Sequence, residues 1–320
     1  MQSFDNILEL ATANPQIKAY FFDMWGCLFD GEKFYDGALE TLIDLREQNK
    51  IIYIITNVPI SEKSSESTFA NWGLLRGIHY THIITSGQVA HDLLRRNALT
   101  FKNGTPKTYL EMGIQTDDLG AGTGLQKVKT GADCCIVGFP GFNDSEYNTL
   151  PNKKGLYRYK EKFSQYSFWL SDSPDVFAST LQKYKELNLP LLSANPDLSA
   201  PVICEDGRIR HMIMHGTVIA EYRKLGGEVI EIGKPSKEVF QYALDKLKDE
   251  GIDARPSETL MIGDTIRTDG GAVELGIKFA LVIGDGGIIG QELSKGAKLE
   301  DLIKRDKFKP DFLLQKVAKG

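Results

Sequence analysis

Tyr20-Phe21-Phe22-Asp23-Met24-Trp25-Gly26-Cys27-Leu28-Phe29-Asp30-Gly31 is the stretch that decides how the rest of the chain is read. An apolar run ends in a carboxylate, Asp23, and a glycine follows at Gly26. A buried strand that carries one acidic side chain to the rim of a sheet and then turns sharply has this pattern. In open α/β sheets, ligands bind in the crevice beyond the carboxyl ends of the strands. Taken alone, the stretch reads equally as a strand ending in a solvated aspartate. The functional reading gains its weight from residues that recur with it further along.

Working outward, residues 1–18 read as a short helix or arm leading into this strand. Ala38–Gln48 carries Leu39, Leu42, Ile43 and Leu45 at roughly helical spacing. Ile51–Ile55 is a continuous apolar, largely β-branched run, as in a strand buried on both faces. It stops at Thr56-Asn57-Val58-Pro59, where proline cannot continue a central strand. Helices are expected over about 61–72 and 88–96, with a strand at His82–Thr85 between them. Alternating strands and helices predict a parallel sheet with right-handed crossovers.

From about Ala98 to Met212 the texture changes. Two glycine-bearing loops, at Asn103-Gly104 and Gly120–Gly124, alternate with short strand candidates at Thr108–Leu110 and Cys134–Val137. Gly120–Gly124 is no dinucleotide fingerprint, because it lacks the third glycine at the right spacing and follows no strand. Ser173-Pro174-Asp175 starts a helix with a capping hydroxyl, a proline at the first position and an acid in the first turn. Pro190–Ala194 reads as a strand, and Asp206-Gly207 as a hairpin turn. The first texture then resumes, with a helix over Ser236–Glu250 and a strand from Thr259 that runs into Gly263-Asp264. The expectation is a Rossmann-like, doubly wound parallel α/β sheet formed by residues 1–97 and 213–320. Residues 98–212 form an inserted α/β domain.

The chain has 320 residues, is 42% apolar and 25% charged, and carries a net charge of −5. These are the proportions of a soluble globular protein, and no global basic field favours nucleic acid or an anionic membrane. No apolar run approaches the roughly 18 residues that a membrane span needs. The four cysteines have no metal-ligand spacing, and the N-terminal segment has no secretory pattern. A soluble, cytoplasmic protein is therefore expected, with the sequons at Asn103 and Asn143 as chance matches.

Four small polar clusters stand at or just beyond the ends of strand-like runs: Asp23, Thr56-Asn57, Lys234 and Asp264-Thr265-Ile266-Arg267-Thr268-Asp269. If the parent strands are parallel, all four open on one edge of one sheet. Each cluster alone has an ordinary explanation as a turn, a solvated lysine or a helix cap, and only their joint order is specific. Together they make a coherent kit. One carboxylate serves as nucleophile, a hydroxyl and an amide hold phosphoryl oxygens, and an ammonium offsets charge. Aspartate is a covalent phosphoryl acceptor in some enzymes. Asp23, Asp264 and Asp269 are suited to a hard divalent cation, for which Mg²⁺ is the expectation.

In these motifs the sequence resembles the haloacid dehalogenase-like (HAD) superfamily. Asp23 matches its first motif, Thr56-Asn57 the second, Gly233-Lys234-Pro235-Ser236 the third and Met261–Asp269 the fourth. The resemblance is closest to class IIA, the NagD-like branch that includes 4-nitrophenylphosphate and pyridoxal phosphate phosphatases. It implies a C2-type cap between the second and third motifs. Asn195-Pro196-Asp197 is similar to a cap loop directed at substrate, and Thr85-Ser86 stands where the branch has a serine pair. The resemblance also implies Mg²⁺ held by Asp23, the Trp25 backbone carbonyl, Asp264 and Asp269. Phosphate would be held by Thr56, Asn57 and Lys234, and substrate by Asn195 and Asp197. Caps of this branch often dimerise, so a homodimer is one further implication.

The first motif of family phosphatases is D-x-D, whose second aspartate protonates the leaving group and then activates water. Here that position is Trp25, as in a class IIA subgroup that this chain resembles in having D-x-W-G. An indole cannot shuttle a proton. Asp30 is the neighbouring acid, read either as a substitute or as a solvated turn residue. Two functions follow from this reading. One is a Mg²⁺-dependent phosphatase of a small phosphorylated metabolite, working through an aspartyl-phosphate on Asp23. The other is a phosphate-metabolite binding or regulatory protein with little turnover.

Overall fold

The computed structural model describes residues 1–160, 167–284 and 286–319. The chain divides into two compact units, one formed by Met1–Thr56, Glu62–Thr85 and Lys234–Gly320, the other by Asn57–Ser61 and Ser86–Gly233.

The first unit is built on seven strands: β1 (Gln2–Phe4), β2 (Ala19–Phe22), β3 (Ile51–Thr56), β4 (His82–Thr85), β5 (Thr259–Gly263), β6 (Lys278–Val282) and β7 (Phe312–Leu314). They lie in the order β1-β7-β6-β5-β2-β3-β4, and every neighbouring pair is parallel. From β2 the chain winds outward through β3 and β4, and from β5 it winds the other way, so the topology switches between β2 and β5. Ligand crevices open at such a point. Register fixes the rim: Phe22 faces Ile262, and the Asp23 amide continues the ladder to the Ile262 carbonyl at 2.9 Å.

The side chains of β2 to β6 are buried on both faces, as the near-continuous apolar runs require, whereas the edge strand β1 is largely exposed. Tyr20, Phe22, Ile52, Ile54, Leu260 and Ile262 pack with Ile7 and Leu10 of helix Ile7–Ala13 and with Leu42 and Leu45 of helix Ala38–Glu47. Phe21 and Tyr53 point the other way and stack at 5.6 Å. The amphipathic helix Lys237–Asp249 buries Val239, Phe240, Ala243 and Leu247. A fully buried side chain of this size contributes about 1.5–3 kcal/mol. The arm expected over residues 1–18 is strand β1 followed by helix Ile7–Ala13. At three residues β1 is too short to register as a pattern, and it is fixed by pairing with β7 across the length of the chain.

The second unit has a parallel sheet in the order Val229–Glu231, Leu191–Ser193, Cys134–Val137, Thr108–Met112, Gln126–Lys127. Leu181 of helix Ala178–Glu186, with Val218, Ile219 and Tyr222 of helix His215–Lys224, packs with Cys135, Val137 and Leu191. An antiparallel trio, Gly141–Phe142, Ser167–Ser171 and Leu156–Lys160, and the hairpin of Ser199–Ile203 with Ile209–Ile213 complete it. In the loop that follows Asp118, the amides of Gly120 and Ala121 both donate to Asp118 Oδ1 at 3.1 Å, so a carboxylate of the chain itself occupies that turn.

The α/β architecture, the parallel sheet and the inserted domain are as expected, but the division of the chain falls elsewhere than at 97/98 and 212/213. Helix Ser86–Arg95, helix His215–Lys224 and strand Val229–Glu231 belong to the second unit. Val229–Glu231 pairs with Leu191–Ser193, and Ser86 Oγ donates to the carbonyls of Val58 and Ala194. Strand and helix patterns of this kind look alike in both units, and only the pairing says which sheet a strand joins. Among the described residues no helix is long and apolar enough to cross a membrane.

Candidate active site

Asp23 leaves β2, Thr56 closes β3 and Asp264 leaves β5, so parallel pairing carries all three to one edge of the first unit's sheet. Lys234 lies three residues before helix Lys237–Asp249, and Asp269 ends the single helical turn Ile266–Asp269. The expected convergence is present. Lys234 Nζ stands 2.7 Å from Asp23 Oδ1 and 2.7 Å from Asp269 Oδ1. One oxygen from each of Asp23, Asp264 and Asp269 lies within 4.8 Å of the others.

Backbone amides hold the carboxylates in place. Asp23 Oδ1 accepts the Met24 amide at 2.8 Å, and Asp269 Oδ2 accepts the Thr265 amide at 3.1 Å. Asp264 Oδ2 accepts the Ile288 amide at 2.6 Å, while its Oδ1 accepts the Thr265 hydroxyl at 3.2 Å. Gly26 permits this closeness. Its φ is +78°, and a Cβ there would lie 2.2 Å from Asp264 Oδ2.

Asp23 and Asp269 share one ammonium, with the Asp264 carboxylate close by, in a nearly dry site, since Lys234 is 1% exposed, Asp264 3% and Asp269 0%. Burial opposes charge on Lys234, but Asp23 and Asp269 outweigh it and hold the ammonium above its usual range. Burial, then the Asp23 charge, pushes Asp264 up to about 6. Burial likewise raises Asp269, with Lys234 pulling against it. Such a cluster is short of positive charge. Its all-oxygen donors at this spacing fit a hard divalent cation.

Removing the ammonium leaves buried carboxylates uncompensated, a change that typically costs 3–5 kcal/mol. Lys234→Met is therefore expected to lose about 3 kcal/mol in urea unfolding with chelator present. The loss should be smaller at pH 5, where protons can neutralise the carboxylates. Equal stability of variant and parent at pH 8 would contradict this account of the cluster.

Trp25 is turned to packing. Its ring meets Phe29, Phe69 and Trp72 edge-on at 6.1 to 6.4 Å between centroids and stays 38% exposed. Asp30 is a turn residue. Despite slight burial, the amides of Lys33 and Glu32 hold its carboxyl below the usual range, which makes it a poor acid. Thr56 is buried in register with Thr85. Asn57, the next residue, belongs to the second unit, where its Nδ2 donates to Asp197 Oδ1 at 3.2 Å. Asn195 Oδ1 accepts the Asp197 amide at 2.8 Å, so the Asn195-Pro196-Asp197 turn is closed by its own side chain. The Ile288 amide and the Thr265 hydroxyl were not foreseen. Thr265 lies inside a stretch that the sequence did single out, whereas a backbone amide leaves no side-chain signal.

Residues 20–114 match the family model described as haloacid dehalogenase-like hydrolase, and residues 231–319 match the model described as HAD-hydrolase-like. No curated protein sequence matches the chain. Among solved structures, a haloacid dehalogenase-like hydrolase from Brucella suis 1330 is 22% identical, with a TM-score of 0.71 over 98% of this chain and 99% of that one. NagD from E. coli K-12 is 22% identical, with a TM-score of 0.63 over 95% and 98%. A 4-nitrophenylphosphatase from Thermotoga maritima is 19% identical, with a TM-score of 0.62 over 95% of each chain. Together these two family matches contain Asp23, Lys234, Asp264 and Asp269, and the chain belongs to the haloacid dehalogenase-like hydrolases.

Proposed function

We propose that this protein is a Mg²⁺-dependent phosphatase of small phosphorylated metabolites. The observation that carries the reading is the placement of Asp23. It shares the buried Lys234 with Asp269 and lies within metal-ligand spacing of Asp264 and Asp269. The 4-nitrophenylphosphatase of the same fold supports the phosphomonoester class.

Asp23 attacks phosphorus through a carboxylate oxygen, the bond from phosphorus to the leaving oxygen breaks, and that oxygen departs with the electron pair. Water then cleaves the aspartyl-phosphate and frees the carboxylate. Lys234 offsets the repulsion between the attacking carboxylate and the phosphoryl oxygens. Thr56 and Asn57 are the proposed holders of those oxygens. Asp23, the Trp25 backbone carbonyl, Asp264 and Asp269 are the proposed metal set, and bound Mg²⁺ would offset charge on the transferring phosphoryl group. Substrate contact by Asn195 and Asp197 is part of the same proposal.

The commitment of Trp25 to aromatic packing favours a second reading, a binding or regulatory protein that keeps the phosphate and metal groups with little turnover. A panel of phosphorylated metabolites with and without Mg²⁺ separates the two. Metal-dependent release of phosphate supports the phosphatase, and metal-dependent binding without product supports the binder.

Metal binding should also mark the pH profile. With Asp264 near 6 when folded and about 3.9 when unfolded, the metal-free fold binds more protons than the unfolded chain between those values. Its stability therefore falls as pH rises through 6. Mg²⁺ competes with those protons, so its rise in melting temperature is expected to be larger at pH 7.5 than at pH 5. A thermal shift that is equal at both values would count against these carboxylates as the ligands.

A further inference from the structure

Tyr35 joins two turns that meet at Asp264. Its backbone amide donates to the Leu28 carbonyl at 2.9 Å, and the amides of Leu28 and Phe29 both return to the Met24 carbonyl at 3.0 Å. It is thus bonded into the turn that follows Asp23 and includes Gly26. At the other end its phenol donates to the Gly286 carbonyl at 2.9 Å. Gly286 lies tight against that ring, because a Cβ there would fall 2.4 Å from the phenol oxygen. Two residues on, the Ile288 amide grips Asp264 Oδ2, the oxygen that Gly26 also crowds. Between them, a Cβ on Gly287 would lie 2.5 Å from the Cβ of Asp264. The turn over 286–288 therefore has little freedom to move without moving the carboxylate.

We propose that Tyr35 is a positioning residue for the metal site. Its phenol pins the turn at Gly286, and through the Ile288 amide it holds the Asp264 carboxylate at metal-binding spacing from Asp23. The inference rests on the metal set proposed above. It adds a residue that lies outside every motif read from the sequence and outside the proposed metal set, acting through the Gly286 carbonyl. Partners that orient a metal's ligands typically alter affinity by about 10–100-fold when removed.

The test is calorimetric titration of Mg²⁺ into the full chain, stripped with chelator, for the parent, Tyr35→Phe and Gly286→Ala. Tyr35→Phe keeps the ring and loses only the hydroxyl, while Gly286→Ala drives a methyl group into the phenol from the other side. Both are expected to weaken Mg²⁺ binding by about tenfold, and Tyr35→Phe, which introduces no clash, is expected to do so with the metal-free melting temperature unchanged. Unaltered Mg²⁺ affinity in Tyr35→Phe overturns the positioning role and leaves the metal site standing. Weaker binding that comes with an equal loss of metal-free stability also overturns it, since the phenol would then serve the fold alone. If the parent itself takes up no Mg²⁺, the metal set fails, and this role fails with it.

Discussion

Asp23→Asn is expected to abolish phosphate release from every monoester the protein accepts, by on the order of 10⁴-fold or more, while the metal-free protein keeps its melting temperature. The amide is nearly isosteric with the carboxylate, and its oxygen can still accept the Met24 amide and face Lys234. What it loses is the charge that attacks phosphorus. The electrostatics point away from unfolding as the cause. With Asp23 neutral, the ammonium of Lys234 is left to Asp269, and the Asp23 charge that helps to raise Asp264 and Asp269 disappears. The variant should therefore be at least as stable as the parent without metal, and it should bind Mg²⁺ more weakly for want of one ligand. Phosphate release and a melting curve on the same sample check this. Turnover at the parent's level in a folded Asp23→Asn protein would remove Asp23 from the nucleophile's place.

Much of this arrangement was legible in the sequence because it depends on local rules. A strand buried on both faces reads as an apolar run, and a functional carboxylate at its end interrupts that run abruptly, as Phe22-Asp23 and Gly263-Asp264 both do. Parallel pairing then puts the ends of β2, β3 and β5 together with no further information. Three features were not legible, each for a physical reason. Strand Val229–Glu231 joins the second unit's sheet, and its apolar pattern is the same whichever sheet it enters. Tyr35 acts through a backbone carbonyl whose position is set by a turn some 250 residues away along the chain. Asn57 looks like a partner of Thr56 by adjacency, yet the division between the two units falls between them, and its amide is bonded to Asp197.

Trp25→Asp is expected to raise turnover of alkyl phosphates by about 10²–10⁴-fold while leaving aryl phosphates little changed, because a positioned acid matters most where the leaving oxygen is a poor anion. The position is the one where family phosphatases carry their proton donor, and here an indole fills it. That indole gives edge contacts to Phe29, Phe69 and Trp72 instead of a titratable proton, and Asp30 is held in its ionised form by its own turn. A phenolate leaves without help, so the parent should favour aryl over alkyl substrates strongly. It should also hold phosphate on Asp23 during turnover, since the same acid/base would otherwise activate the hydrolysing water. Losing the aromatic contacts costs roughly 2 kcal/mol for a ring this exposed. Trp25→Asn pays that packing cost without supplying an acid, which makes it the matched control. The comparison is the ratio of alkyl to aryl turnover in the three proteins, with mass spectrometry of acid-quenched samples for the phosphoenzyme. A rise confined to Trp25→Asp, together with loss of the accumulated phosphoenzyme, is the expected outcome. Equal ratios in the Asp and Asn variants would mean that the proton reaches the leaving group from elsewhere, and Trp25 would then be a packing residue with no bearing on substrate choice.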